Sequence, residues 1–169
     1  MAILKKINGK YTNEDAIYNL VNYILDRSKM PDLIAGGQGI HLNQPFECMD
    51  DIRCIFNHTG RQAEHYVLSF TDDEMSRFNP YTARVLGYSL CEFFEGVQVL
   101  FAYHQCNDDS NGFDFSTNLH VHFAIGATNV NTGKKYFSDR TEAFRFRAYA
   151  EAVLNEMGIS NDYLVLRFG

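Results

Sequence analysis

Apolar residues recur along the chain at two different spacings, and these divide it into strands and helices. Residues 2–7 are apolar and basic and predict a short strand. Thr12-Asn13-Glu14-Asp15 resembles a helix opening, with an acid where a capping box places Glu. Ala16, Ile17, Leu20, Val21, Ile24 and Leu25 then recur at helical spacing, which predicts a helix over about 13–29. Pro31 and Gly36-Gly37-x-Gly39 predict that it ends in a mobile loop, with a second helix over about 46–57. Residues 65–70 (HYVLSF) are β-rich and bounded by polar residues, so a strand is expected there. Asn79-Pro80 supplies a cap and a first-turn proline for a helix running to about Gly96. The clearest strands are 97–103 (VQVLFAY) and 119–127 (LHVHFAIGA), separated by a polar loop over 105–118. After a turn at Asn131-Thr132-Gly133, Ser138 or Asp139 caps a helix to about Glu156, which Gly158 stops, and residues 163–168 add an edge strand. Strands separated by helices, with a hairpin in the middle, predict an α+β fold with a central, mainly antiparallel sheet flanked by helices. No repeat, low-complexity tract or linker divides the 169 residues, so one domain over 1–169 is expected.

Composition narrows the class. At 46% hydrophobic and 14% aromatic the chain is far from a disordered one. No stretch approaches the roughly 18 apolar residues of a membrane span, and residues 1–10 lack the apolar core of a signal peptide. A soluble, intracellular protein without a membrane partner is expected. Cys48, Cys54, Cys91 and Cys106 form no C-x-x-C pair, which argues against a disulfide framework or thiolate zinc site and predicts reduced, mostly buried thiols. The net charge of −6 argues against gripping nucleic acid by overall charge. Residues 1–11 and 133–149 nevertheless each carry +3, leaving −12 for the remainder. Such local basic segments fit a cleft for a polyanion and equally fit ordinary solvated faces.

His120-Val121-His122 carries the chemistry. On a strand, residues i and i+2 point to one face, so the two imidazoles project side by side while Val121 packs on the other face. His104 ends the preceding strand of the expected hairpin, and antiparallel pairing would bring it beside them as a third ligand. Three neutral imidazoles with open positions describe a catalytic metal site rather than a closed structural one. The plain alternative is a pair of half-exposed polar residues. His41, His58 and His65 read as surface or capping residues, although His65 opens its strand near the expected cleft.

The segment NLHVHFAIGATNVNTGKKYFSD, the strand ending in His104, and HYVLSF at 65–70 resemble the relaxase, or mobilisation-nuclease, domain of plasmids and integrative elements, within the HUH endonucleases. The resemblance spans about 13–159. It implies a metal-dependent nuclease of conjugative mobilisation that nicks one strand of single-stranded DNA at an origin of transfer, becomes attached to the 5′ end, and can rejoin the strand. It further implies a bacterial-type cytoplasmic setting and accessory mobilisation proteins as partners. The family nucleophile is a tyrosine in the first helix, a role that falls to Tyr23 in Leu20-Val21-Asn22-Tyr23-Ile24; Tyr18, on the opposite margin of the apolar stripe, is its rival. Either could instead be a border residue with a packed ring and a wet hydroxyl. The ion is magnesium or manganese by resemblance, whereas an all-imidazole set by ligand preference suits zinc, nickel or manganese.

Where relaxases of this type commonly have His-x-Asp, this chain has His104-Gln105-Cys106. Asp108, Asp109 or Asp114 could substitute as acid or base, though acids in a polar loop are by default turn formers, and reduced activity is one expectation. Candidate phosphate contacts are Lys134, Lys135, Arg140, Arg145 and Arg147, followed by Lys5, Lys6 and Arg61; of Phe144 and Phe146, helical spacing makes at least one core. Two rival functions stand beside nicking at a transfer origin: a DNA-binding accessory module of the same fold that does not nick, and an HUH replication-initiator or transposase-type nuclease. A nucleophile as near the N-terminus as Tyr23 favours the relaxase over the latter.

Overall fold

A computed structural model describes residues 1–29, 34–105 and 119–169. In chain order the elements are β1 (Ile3–Ile7), α1 (Ala16–Ile24), a 3-10 turn (Arg27–Lys29), β2 (Ala35–Gln38), α2 (Pro45–Ile55), β3 (Ala63–Ser69), α3 (Asp72–Met75), α4 (Pro80–Cys91), β4 (Val97–His104), β5 (His120–Asn129), α5 (Arg140–Glu156) and β6 (Val165–Phe168). The strands form one six-stranded sheet in the order β2-β4-β5-β3-β1-β6. Its pairings are antiparallel except that of β1 with β6, so the sheet is mainly antiparallel and flanked by helices, as the residue pattern predicts.

Both faces of the sheet centre are covered, which is why β4 and β5 are almost continuously apolar. On one face Leu68, Phe101, Tyr103, Val121, Phe123 and Ile125 pack with Leu86 and Leu90 of α4 and with Ala143 and Phe146 of α5. On the other, Leu100, Ala102 and Ala124 meet Ile17, Leu20, Val21 and Ile24 of α1 and Met49 of α2. Helices α1 and α2 lie over β4 and β5. Toward β3, β1 and β6 that second face borders a groove of about 1130 Å³.

Several boundaries differ from the sequence expectation, each for a local reason. The first helix stops at Ile24 because Asp26 turns its side chain onto the backbone N–H and hydroxyl of Ser28, a competing local structure. At its start Asp15 makes no side-chain cap, so the anticipated capping box is absent; one forms instead at Thr71 and Glu74, opening the unanticipated α3. The fourth helix ends at Cys91 rather than near Gly96, while Asp139, not Ser138, caps α5. The glycine segment expected as a loop is edge strand β2. Its glycines serve close packing: a Cβ on Gly36 would lie 2.6 Å from the Phe101 ring, and one on Gly37 would lie 2.5 Å from the Val99 carbonyl. Pro31 lies outside the described residues. Of the described thiols only Cys91 is buried; Cys54 is exposed and Cys48 half-buried, which corrects the expectation of mostly buried cysteines.

The paired phenylalanines of α5 separate cleanly. Phe146 is fully buried, its ring 4.7 Å from that of Phe94 and 5.1 Å from that of Tyr66, whereas Phe144 is exposed. Phe146→Ala is expected to cost about 3–5 kcal/mol and Phe144→Ala less than about 1 kcal/mol, read from urea denaturation midpoints.

Candidate active site: a histidine cluster at the end of the first helix

The strand register assembles the cluster. His104 of β4 lies directly opposite His120 of β5, and Ala102 lies opposite His122, so the three imidazoles share the face on which α1 packs. Their ring centroids are 4.3 Å (His104 to His122), 5.0 Å (His120 to His122) and 5.5 Å (His104 to His120) apart. One ligand atom from each lies within 4.8 Å of the others. His104 and His122 are buried and His120 is partly open, which leaves one side of the cluster for an incoming group.

Two of the rings have their protons assigned by their partners. His104 Nε2–H donates to the Ile24 carbonyl at 2.8 Å, one of the acceptors that the last turn of a helix leaves unsatisfied, so Nδ1 is the atom that could ligate a metal. His122 Nδ1 lies 2.9 Å from His65 Nε2, while His122 Nε2 is buried without a hydrogen-bond partner. A buried lone pair with nothing to accept is costly unless a cation or donor fills it. The donor set therefore fits a divalent ion, with open positions.

Tyr23, one residue before the carbonyl that holds His104, stands over the cluster. Its ring centroid is 5.3 Å from that of His122, 5.8 Å from His104 and 6.4 Å from His65, and it keeps 36% of its surface exposed. The Lys29 ammonium sits 4.0 Å from the centre of the Tyr23 ring. Tyr18 points elsewhere, against Phe46 of α2 at 5.5 Å. Asp108, Asp109, Asp114 and Cys106 lie outside the described residues.

His65, read from the sequence as a surface or capping residue, is neither. It is 5% exposed and hydrogen-bonded on both ring nitrogens, to His122 and, at 2.8 Å, to the Tyr11 hydroxyl. Burial lowers its pKa to about 4, with help from the neighbouring His104, and burial also holds His122 well below the usual histidine range. The signal was available only as parity: His65, Val67 and Ser69 alternate onto one face of β3, and the pairing with β5 shows that this is the histidine face. His58 bonds Thr128 through Nδ1 at 2.8 Å, and His41 is exposed.

The basic residues divide in a way composition did not show. Every charged side chain lining the groove is basic: Lys5, Lys10 and Arg167, in a chain of net charge −6. Lys6, one residue along β1 and expected as a phosphate contact, faces the other side, where it pairs with buried Glu64 at 3.3 Å and donates to the Ser138 carbonyl. Arg61 also pairs with Glu64, Arg145 with Glu142 and Arg147 with Glu151, while Lys135 donates to the Thr59 carbonyl. None of these residues, nor Lys134, lines the groove; Arg140 lies 5.4 Å over the ring of groove-lining Phe168.

A mainly antiparallel sheet presents three histidines beneath a helix-borne tyrosine, beside a basic groove, and the three imidazoles could hold a metal ion. The family model described as relaxase, MobA/VirD2-like, nuclease domain matches residues 23–159, and the chain belongs to that family. It is a family of metal-dependent relaxases that nick single-stranded DNA. Comparison with curated proteins and with solved structures finds no match. Among the described residues no helix is long and apolar enough to cross a membrane.

The low pKa of His65 gives a signed expectation for the metal-free protein. The unfolded chain takes up the proton near 6.5 and the folded one only near 4, so the unfolded state binds more protons between those values. Stability should be full above about pH 6.5 and fall toward pH 4, by on the order of 3 kcal/mol from this group. Urea denaturation across that range in the presence of chelator measures it; His65→Gln should flatten the slope.

Proposed function

We propose that this chain, acting as one relaxase-like domain, nicks and rejoins single-stranded DNA at an origin of transfer through a 5′-phosphotyrosyl intermediate on Tyr23. The observation that carries the reading is the placement of the Tyr23 ring 5.3 Å from His122 and 5.8 Å from His104, on the open side of the cluster. A phenol with a pKa near 10 is a weak nucleophile at neutral pH. The Lys29 ammonium over its ring favours the phenolate by direct electrostatics. A divalent ion held by His104, His120 and His122 (magnesium or manganese by family, zinc or nickel by ligand preference) would neutralise charge on the scissile phosphate. Tyr23 Oη then forms a bond to phosphorus as the bond to the 3′ oxygen breaks; the phenolic proton leaves and the 3′ oxygen takes one up. One phosphodiester replaces another, so rejoining needs no external energy.

The groove is the path for the strand. Its length along β1 and β6 offers phosphates the charges of Lys5, Lys10 and Arg167, and Phe168 offers a base a stacking face. A bacterial-type cytoplasm with plasmid-borne mobilisation partners is the setting that goes with this reading.

The decisive experiment incubates the protein with single-stranded oligonucleotides and Mn²⁺ and looks for a covalent adduct. Tyr23→Phe should abolish the adduct, shift stability by less than about 1 kcal/mol and leave DNA binding in place. Tyr18→Phe should keep the adduct. A wild type that binds DNA but never forms an adduct with any metal would make the protein a non-nicking accessory module of the same fold. Lys5→Ala and Arg167→Ala should each weaken oligonucleotide binding and lower its logarithmic salt slope by about 0.7, measured by fluorescence anisotropy, while Arg145→Ala should do neither.

A further inference from the structure

The structure assigns a positioning role to two residues outside the ligand set: we propose that Tyr11 and His65 form a hydrogen-bonded relay that holds His122 in its metal-binding tautomer. The proposal rests on reading the three-histidine cluster as a metal site. His122 Nδ1 is 2.9 Å from His65 Nε2, and His65 Nδ1 is 2.8 Å from Tyr11 Oη. The His65 and His122 rings stack at a centroid distance of 5.2 Å and an interplanar angle of 30°.

The direction of donation follows from counting protons. Both rings are buried, so each is neutral and carries one N–H. His122 Nε2 is buried without a hydrogen-bond partner, and a proton there would be an orphaned donor aimed into the cluster. The His122 proton therefore sits on Nδ1 and is donated to His65 Nε2. His65 must then carry its own proton on Nδ1 and donate it to the Tyr11 oxygen. The relay runs outward from the ligand, fixes the ring plane, and leaves the Nε2 lone pair facing the other two histidines. Histidine ligands ordinarily obtain this support from a carboxylate or a backbone carbonyl; a second imidazole backed by a phenol supplies it here.

Tyr11 is built for the position. Its backbone adopts φ +42°, a conformation costly for a residue with a side chain, and its carbonyl accepts from Gln62 N–H at 2.8 Å, tying it to the start of β3. Backbone strain held in place beside a site is a feature the surrounding structure must support.

The test uses Mn²⁺ alone as probe, by calorimetry on the whole protein, with ¹⁵N NMR of the imidazoles in the metal-free state. Wild type is expected to show His122 protonated on Nδ1. His65→Leu should weaken Mn²⁺ binding by about 10- to 100-fold and move the His122 proton toward Nε2. His65→Gln, whose amide oxygen accepts the same N–H, should restore binding to within about threefold and keep the Nδ1 tautomer. Tyr11→Phe, which removes only a hydroxyl, should give a smaller loss of affinity in the same direction. If His65→Leu does not fold, Tyr11→Phe carries the decision, and unchanged affinity in it overturns the relay. Wild-type affinity and tautomer in His65→Leu overturn the relay while leaving the metal site standing; a wild type that takes up no Mn²⁺ overturns both.

Discussion

The hydrogen bond from His104 Nε2 to the Ile24 carbonyl joins the two halves of the site. One end belongs to the strand that carries a histidine of the cluster, the other to the helix that carries the tyrosine. The carbonyl is one that every helix must leave open at its C-terminus, so the fold meets an unavoidable demand with the group that needs its tautomer fixed. Because Tyr23 is the residue immediately before Ile24, that bond holds the Tyr23 backbone beside the cluster. The backbone continues the same fastening: Gln105 N–H, next to His104, donates to the Lys29 carbonyl at 3.0 Å, which keeps the Lys29 ammonium beside the Tyr23 ring.

The sheet divides labour between its faces. One is a dense aromatic layer in which Phe94, Phe123, Phe146, Tyr66 and Tyr103 are fully or almost fully buried. Such a layer resists deformation, and it gives the histidine face a rigid base. The other face is covered by α1 and α2 over β4 and β5, with small residues such as Ala102 and Ala124 where the helices press closest. Beyond α1 the covering stops and the groove begins. Alternation along β1 then separates two adjacent lysines: Lys5 lines the groove and Lys6 neutralises buried Glu64. A single residue of register decides which positive charge can reach an anion from solvent.

Much of this was legible in the chain itself. The period-two run around His120 and His122 marks the strand, its parity puts both rings on one face, and the apolar stripe of Ile17, Leu20, Val21 and Ile24 marks the covering helix, because these signals depend only on neighbours a few residues apart. The same local logic narrowed the cap to Ser138 or Asp139, and indicated the stop at Gly158 and the α+β class. It misread Gly36 and Gly37 as loop-formers, since what requires a missing side chain there is Phe101, and Val99 on the neighbouring strand, more than sixty residues away.

His65 and the basic residues show where local information runs out. A histidine at the start of a strand carries no mark of burial; it is buried because β3 pairs with β5 in the register that sets Val67 opposite His122 and thereby brings His65 diagonally onto the cluster. Arg145 and Arg147 look like free charges in sequence, yet acids three and four residues away on the same helix pair with them, while Arg167 gains its place only when β6 docks parallel to β1. The sequence by itself determined the shared face of the histidine pair, the helix that carries the tyrosine and the class of fold, because periodicity records which face a residue takes. Which side chains meet across that face was decided by strand order and register, long-range pairings that no short stretch of chain encodes.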